Sequence, residues 1–182
     1  MRKIIICEGP DNSGKTSLIK RLAPEMGLEV RHSASHLRGS GELIDWVDKE
    51  LDTKFVKPPI YDRFPLISEQ VYGPILRGHN VFEGLYKGWA KDYQPLIIYC
   101  RPSLNRLLRF NPNIPQMDGV KDHAKQLVEA YDAIMGGLRH KAWGIVRYDY
   151  ADMESYAKVK TTVSCYIDRY GGSYNGKYGR LD

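Results

Sequence analysis

The chain has 182 residues, 42% of them hydrophobic and 27% charged, the length and balance of one ordinary domain able to bury a core. Its 27 Lys and Arg residues against 22 Asp and Glu give a formal net charge of +5, an excess that favours anionic partners without choosing among them. No run approaches the roughly 20 apolar residues that span a bilayer, and residues 4–7 are too few for a signal peptide, so the expected setting is cytoplasmic, with no membrane partner.

Residues 3–7 are apolar and β-branched and lead into a glycine-rich turn, after which helix formers run over 16–22 until Pro24: strand, loop, helix. Cys7 ends that strand, and with Cys100 and Cys165 it lacks metal-ligand spacing, so reduced core thiols are expected. Residues 29–32 read as a short second strand. His32 and His36 stand four apart with no further ligand in reach, too few for a metal site. Residues 42–51 place Leu43, Trp46, Val47 and Leu51 at helical spacing, which favours the core for Trp46 over stacking on an acceptor base. Residues 57–61 form a third strand whose start is blurred by Pro58 and Pro59. A helix over 66–77 follows despite Pro74, then the apolar strand 95–100, a helix over 103–110 and a proline-rich loop over 111–118. An amphipathic helix over 122–135, a strand over 143–148 and a helix over 153–170 complete the domain.

Strands alternating with helices imply an α/β fold of three layers, with a five-stranded, mostly parallel sheet flanked by helices. The domain covers 1–170 with a short lid near 106–118, and 171–182, rich in Gly and Tyr, reads as a mobile tail. Ligands in such folds bind beyond the carboxyl ends of the strands, which directs attention to the residues after Cys7, Tyr61, Cys100 and Tyr148.

The first of those turns, Gly9-Pro10-Asp11-Asn12-Ser13-Gly14-Lys15-Thr16, matches G-x-x-x-x-G-K-[ST] with a strand before it and a helix after it. Glycines at both ends let backbone N–H groups turn inward on an oxyanion, and the following helix adds its positive end. Gly9, Asn12, Ser13, Gly14, Lys15, Thr16 and Ser17 are therefore candidates for holding ATP. Lys15 would reach the β- and γ-phosphates, and the Thr16 hydroxyl would bind Mg2+. Asp11 is costly beside an anion, which suggests a contact to an acceptor or its sugar. Glu8, at the strand end, could reach magnesium through water or orient the acceptor.

Tyr61-Asp62-Arg63-Phe64 closes the third strand. Asp62 could take a proton from an attacking oxygen or join the metal's water shell, and Arg63 could grip an acceptor phosphate with two N–H groups. Arg106 and Arg109 lie three apart on one helical face, suited to a γ-phosphate or an adenine. Asp118-Gly119-Val120 reads as a helix-capping reversal, and Tyr148-Asp149-Tyr150 as a loop beyond the last strand.

The segments CEGPDNSGKTS and YDRFPLISEQVYG resemble the thymidylate kinase branch of P-loop kinases, with its E-G-x-D-x-x-G-K-[ST] loop and D-R-[YF] motif, and look most similar to small phage-encoded members. The resemblance implies a P-loop kinase fold with ATP and magnesium held by Gly9, Gly14, Lys15 and Thr16, and Asp11 near the acceptor sugar. It implies Arg63 on the acceptor phosphate, assisted by Asp62 or Glu8. Phe64, Ser68, Glu69 and Tyr72 would line the acceptor pocket, and relatives place a loop such as 148–150 against the adenine. This chain departs from the branch in lacking a long arginine-bearing lid. The expected reaction is phosphoryl transfer from ATP to a deoxynucleoside monophosphate. A second reading takes 5-hydroxymethyluracil within DNA as the acceptor, which the open pocket of a short lid would admit, and a third is a non-catalytic nucleotide switch. A homodimer is left open.

Overall fold

Residues Ile5–Glu8 form β1, every one of them buried. Their side chains alternate between two apolar layers, Ile6 joining one core with Tyr61, Phe64, Ile67 and Tyr131, and Ile5 and Cys7 joining another with Leu18, Leu22, Ile98 and Val159. A strand apolar on both faces belongs in the middle of a covered parallel sheet. The computed structural model describes residues 3–32, 40–110 and 117–171 and puts β1 there.

The strands are β1, β2 (Val30–His32), β3 (Ile60–Asp62), β4 (Leu96–Cys100) and β5 (Gly144–Tyr148), all parallel in the order β2-β3-β1-β4-β5. The helices are α1 (Lys15–Met26), α2 (Ser40–Asp52), α3 (Pro65–Tyr72), α4 (Trp89–Tyr93), α5 (Leu104–Leu107), α6 (Ala124–Leu138) and α7 (Met153–Gly171). α1 and α7 cover one face of the sheet; α2, α3, α4 and α6 cover the other. The expected three-layer α/β architecture is what the chain adopts.

Several boundaries differ from expectation for identifiable reasons. Pro24 does not end α1: its missing N–H removes one bond from the ladder, but the helix runs on to Met26 and closes at Gly27 in the left-handed region (φ 61°) with Leu28 N–H bonded to Ala23 O at 2.9 Å. Pro58 and Pro59 precede β3 and cost the ladder nothing; the Pro59 carbonyl accepts from Ile5 N–H at 2.9 Å. The helix expected over 66–77 is α-helical only to Tyr72, and at Gly73–Arg77, around Pro74, it widens into a π-turn. α5 is shorter than the expected 103–110. The lid positions 111–116, the tail 172–182 and His36 lie outside the described residues.

β1 ends at Glu8 between β3 and β4, so the loop that follows emerges at the centre of the carboxyl edge, with Asp62 on one side and Cys100 on the other. Gly9 makes this entry possible: it has φ +147°, and a Cβ there would stand 2.3 Å from the Cys100 carbonyl oxygen. Gly9→Ala should therefore lower stability by about 3 kcal/mol or more through backbone strain and overlap, read as a drop in urea midpoint.

Below the loop, Cys7 and Cys100 are buried, with Sγ atoms 3.5 Å apart. They pack as core thiols, as expected, whereas Cys165, on α7 and also expected in the core, is exposed.

Candidate active site

The phosphate loop begins where β1 stops and ends where α1 starts, at Gly14 with φ 83°. α1 has no side-chain cap on its first turn, which leaves its N–H groups to an incoming anion. Lys15 is 7% exposed and donates to Pro10 O at 2.6 Å and Ser13 Oγ at 3.2 Å. Burial, helped by repulsion from Arg63, pulls its pKa down to about 8. A buried ammonium held by a carbonyl and a hydroxyl, and by no carboxylate, is a charge awaiting an anion.

Thr16 follows with an exposed hydroxyl 3.4 Å from Asp62 Oδ2. A hydroxyl and a carboxylate meeting beside a phosphate loop form the oxygen donor set that magnesium takes while keeping most of its water. Among the described residues no cluster of three or more His, Cys, Asp or Glu is placed to hold a metal, so a metal there would need the phosphates as ligands as well. Ser17 is exposed in the first turn of α1.

Glu8 is completely buried and accepts from Phe64 N–H at 2.7 Å, Tyr131 Oη–H at 3.0 Å and Gly9 N–H at 3.3 Å. Burial raises its pKa, against the pull of Arg63, Lys15 and these donors. Its oxygens fasten β1 to the end of β3 and to α6, and through the Tyr131 hydroxyl they connect to the Arg63 guanidinium. Phe64 itself turns its ring into the core, 0% exposed among Tyr61, Trp46 and Trp89; its contribution here is the backbone N–H. The Trp46 ring, expected in the core, packs on Tyr61 and Phe64.

Arg63 occupies the left-handed region at φ 66°, a strained place for a long side chain, and this aims its guanidinium across the loop. Nη2 donates to Asp11 Oδ1 at 2.7 Å and Nη1 to Tyr131 Oη at 2.8 Å. Those two bonds leave three of an arginine's five N–H donors for another oxyanion. Burial opposes its charge, yet Tyr131, Tyr72, Asp11 and Glu8 hold its pKa well above the ordinary value. Asp11 also accepts from Tyr72 Oη–H at 2.7 Å. Burial would push Asp11 up, but Arg63, Lys15 and its hydrogen bonds outweigh it and hold the carboxyl below the usual range. Tyr72 lies under the Arg63 guanidinium, 4.9 Å from carbon to ring centre.

The structure thus brings together Glu8, Asp11, Lys15, Thr16, Asp62, Arg63 and Tyr72. Ser68 bonds back to Phe64 O at 3.3 Å, and Glu69, on α3, pairs with Arg77. Arg109 is exposed at the end of the segment after α5, and the Arg106 guanidinium is 3.6 Å from Asp149. Tyr150, beyond β5, lies against Gly14, where an added Cβ would be 3.0 Å from its ring. Tyr131 was not expected at the site. It recurs with Leu127 and Val128 on the buried face of α6, and the one clue was a phenol on a core stripe, since a buried hydroxyl needs a partner. A surface cleft of about 230 Å³ lined by Asp48, Leu51, Trp89 and Tyr93 lies between α2 and α4 and contains none of these residues.

No family model matches the chain. A cytidylate kinase of Ignicoccus hospitalis is 27% identical over 161 residues, which cover 87% of this chain and 89% of that one. Among solved structures, the YorR protein of Bacillus subtilis, determined in complex with phosphorylated GDP, superposes with a TM-score of 0.65 at 17% identity, over 91% of this chain and 95% of its own. A deoxyadenosine kinase of M. mycoides with bound dCTP gives 0.59 at 14% identity, over 91% and 100%. The fold is that of nucleotide and nucleoside P-loop kinases. No helix of the described residues is long and apolar enough to cross a membrane.

Proposed function

We propose that this protein, an ATP-dependent kinase of the nucleotide type, transfers the γ-phosphoryl group of ATP to a deoxynucleoside monophosphate, with a pyrimidine base as the preferred acceptor. The observation that carries this reading is the pairing of Lys15 and Arg63, two buried or half-buried cations reaching the same loop from the first turn of α1 and from the end of β3. The pyrimidine preference draws on the likeness of the two motifs to thymidylate kinases and on the cytidylate kinase relative.

The triphosphate enters the loop against the N–H groups of α1, and the Lys15 ammonium leaves Pro10 O for the β- and γ-phosphate oxygens. Thr16 and Asp62 would hold magnesium, which when bound neutralises charge on those oxygens. Arg63, held by Asp11 and Tyr131, presents its remaining N–H donors to the acceptor phosphate and so fixes the attacking oxygen in line. That oxygen is already an anion at neutral pH, so no general base is required. One bond forms from the acceptor oxygen to Pγ, the bond from Pγ to the β–γ bridging oxygen breaks, and ADP leaves with its electron pair. Asp62 then serves the metal's shell, and Glu8 serves as the brace of Arg63. Asp11 and Tyr72 face the same space and suit a sugar hydroxyl.

The test is an acceptor panel with γ-labelled ATP and magnesium: each ribo- and deoxynucleoside monophosphate, plain duplex DNA, and DNA carrying 5-hydroxymethyluracil. The expected result is saturable labelling of a pyrimidine deoxynucleotide with DNA left unlabelled. Label in hydroxymethylated DNA alone would move the acceptor to the polymer, and ATP bound without transfer to any acceptor would end the kinase reading.

A further inference from the structure

The amide of Asn12 makes its hydrogen bonds outside the phosphate loop. Nδ2 donates to the carbonyl oxygens of Arg106 at 3.1 Å, Leu107 at 3.1 Å and Arg109 at 2.9 Å. These carbonyls end α5 and the turn after it, where a helix runs short of backbone donors; the Arg106 oxygen also accepts from Arg109 N–H at 3.2 Å. Two N–H groups thus serve three oxygens, one bond being shared. The Asn12 backbone stands in the left-handed region at φ 63°, which Asn tolerates better than most residues. The same segment is held a second time by the Arg106 guanidinium, 3.6 Å from Asp149 beyond β5.

From this geometry we infer that Asn12 is a positioning residue: its amide ties the phosphate loop to the arginine-bearing segment after β4, so that Arg106 and Arg109 meet the donor phosphates in register with Lys15. The inference rests on the proposed kinase reading for its catalytic consequence and not for the clasp itself. Besides the clasp, the described contacts of 106–109 are the buried Leu107 side chain, 2% exposed, and the half-exposed Arg106 to Asp149 pair, which reaches the turn after β5 and not the phosphate loop; such pairs hold little in water. A triphosphate would draw the Arg106 guanidinium away from Asp149 and break that link too. Asn12 is the contact that survives nucleotide entry, because it joins neutral groups.

Asn12→Gly separates the clasp from the backbone, since glycine adopts φ near +63° freely. In hydrogen exchange without nucleotide, amides of 104–109 should exchange about tenfold faster in Asn12→Gly than in wild type, with the first turn of α1 unchanged. In turnover with ATP, magnesium and the best acceptor of the panel, kcat should fall about tenfold while KM for ATP moves less than about threefold. The fall should be non-additive with loss of both arginines, Asn12→Gly added to Arg106→Ala and Arg109→Ala being no slower than those two replacements without it. Asn12→Asp, which sets a carboxylate against three carbonyl oxygens, should be at least as slow as Asn12→Gly. Unchanged exchange over 104–109, or a further loss from Asn12→Gly once both arginines are gone, would overturn the inference. A wild-type protein that transfers phosphoryl to no acceptor would instead overturn the kinase reading, and the exchange comparison would still decide the clasp.

Discussion

Replacing Lys15 with methionine should reduce kcat by about 10²- to 10³-fold or more and should at the same time stabilise the protein in the absence of nucleotide. The two effects have one cause. The ammonium is 7% exposed, its partners are the Pro10 carbonyl and the Ser13 hydroxyl, and Arg63 adds a second positive charge. Its pKa is near 8 in the fold against about 10.4 in an unfolded chain. The unfolded state therefore binds that proton more tightly, and stability should rise with pH between about 8 and about 10.4. At neutral pH the difference corresponds to a penalty of about 3 kcal/mol, part of which is offset by the two hydrogen bonds the ammonium makes. Methionine fills the same space without the charge, so a rise in stability of about 1–2 kcal/mol at pH 7 and a flat pH profile above 8 are expected. Thermal melts from pH 6 to 10 read both. Near-normal turnover in this variant would show that the loop does not hold the transferring phosphate.

Replacing Arg63 with alanine should act on the acceptor and on the fold together. The guanidinium is the partner of Asp11 and of Tyr131, which also holds the buried Glu8. Removing it leaves two acids without their nearest cation, at a cost of about 2–4 kcal/mol after allowance for the partial exposure of the Asp11 pair. Because Asp11 has its pKa held down, the stability it brings is present above about pH 4, the ordinary carboxyl value, and is lost as the pH falls through its lower folded value. The variant should lose that acid-side dependence. In kinetics, KM for a phosphorylated acceptor should rise about 100-fold with KM for ATP within a few-fold, since a charge-assisted, two-pronged contact is gone from one substrate and not the other. Arg63→Lys restores a point charge without the fork and should recover part of the loss. Equal rises in both KM values would place Arg63 in general scaffolding, away from the acceptor.

How much of this could be read from the chain depended on how local each signal was. The phosphate loop is eight consecutive residues whose spacing is dictated by the shape of an oxyanion, and its strand and helix flanks were legible with it. The D-R-F turn was legible as a site because it follows a strand that must end beside β1. Phe64 was assigned to the pocket and packs in the core, since a motif records adjacency and not which way a ring turns. α4 was not anticipated: Trp89–Tyr93 is five residues long, less than two turns and too short for a periodic pattern. Tyr131 sits on a helix that was foreseen, and its apolar neighbours gave it a core position, but its hydroxyl meets Glu8 across 123 residues of sequence. The Asn12 clasp joins residues 94 to 97 positions apart, and no spacing rule reports such a pair.

The claim on which the rest stands is geometric: the anion held at Lys15 and the acceptor phosphate held at Arg63 face each other along one line. Two nucleosides joined through five phosphates would fill both positions at once, so calorimetric titration of the wild-type protein with such a bridged ligand tests the arrangement without relying on turnover. Binding about 100-fold tighter than that of ATP alone, with the advantage removed in Arg63→Ala, is the expected result. A bridged ligand bound no more tightly than ATP, or one whose affinity ignored Arg63, would contradict it.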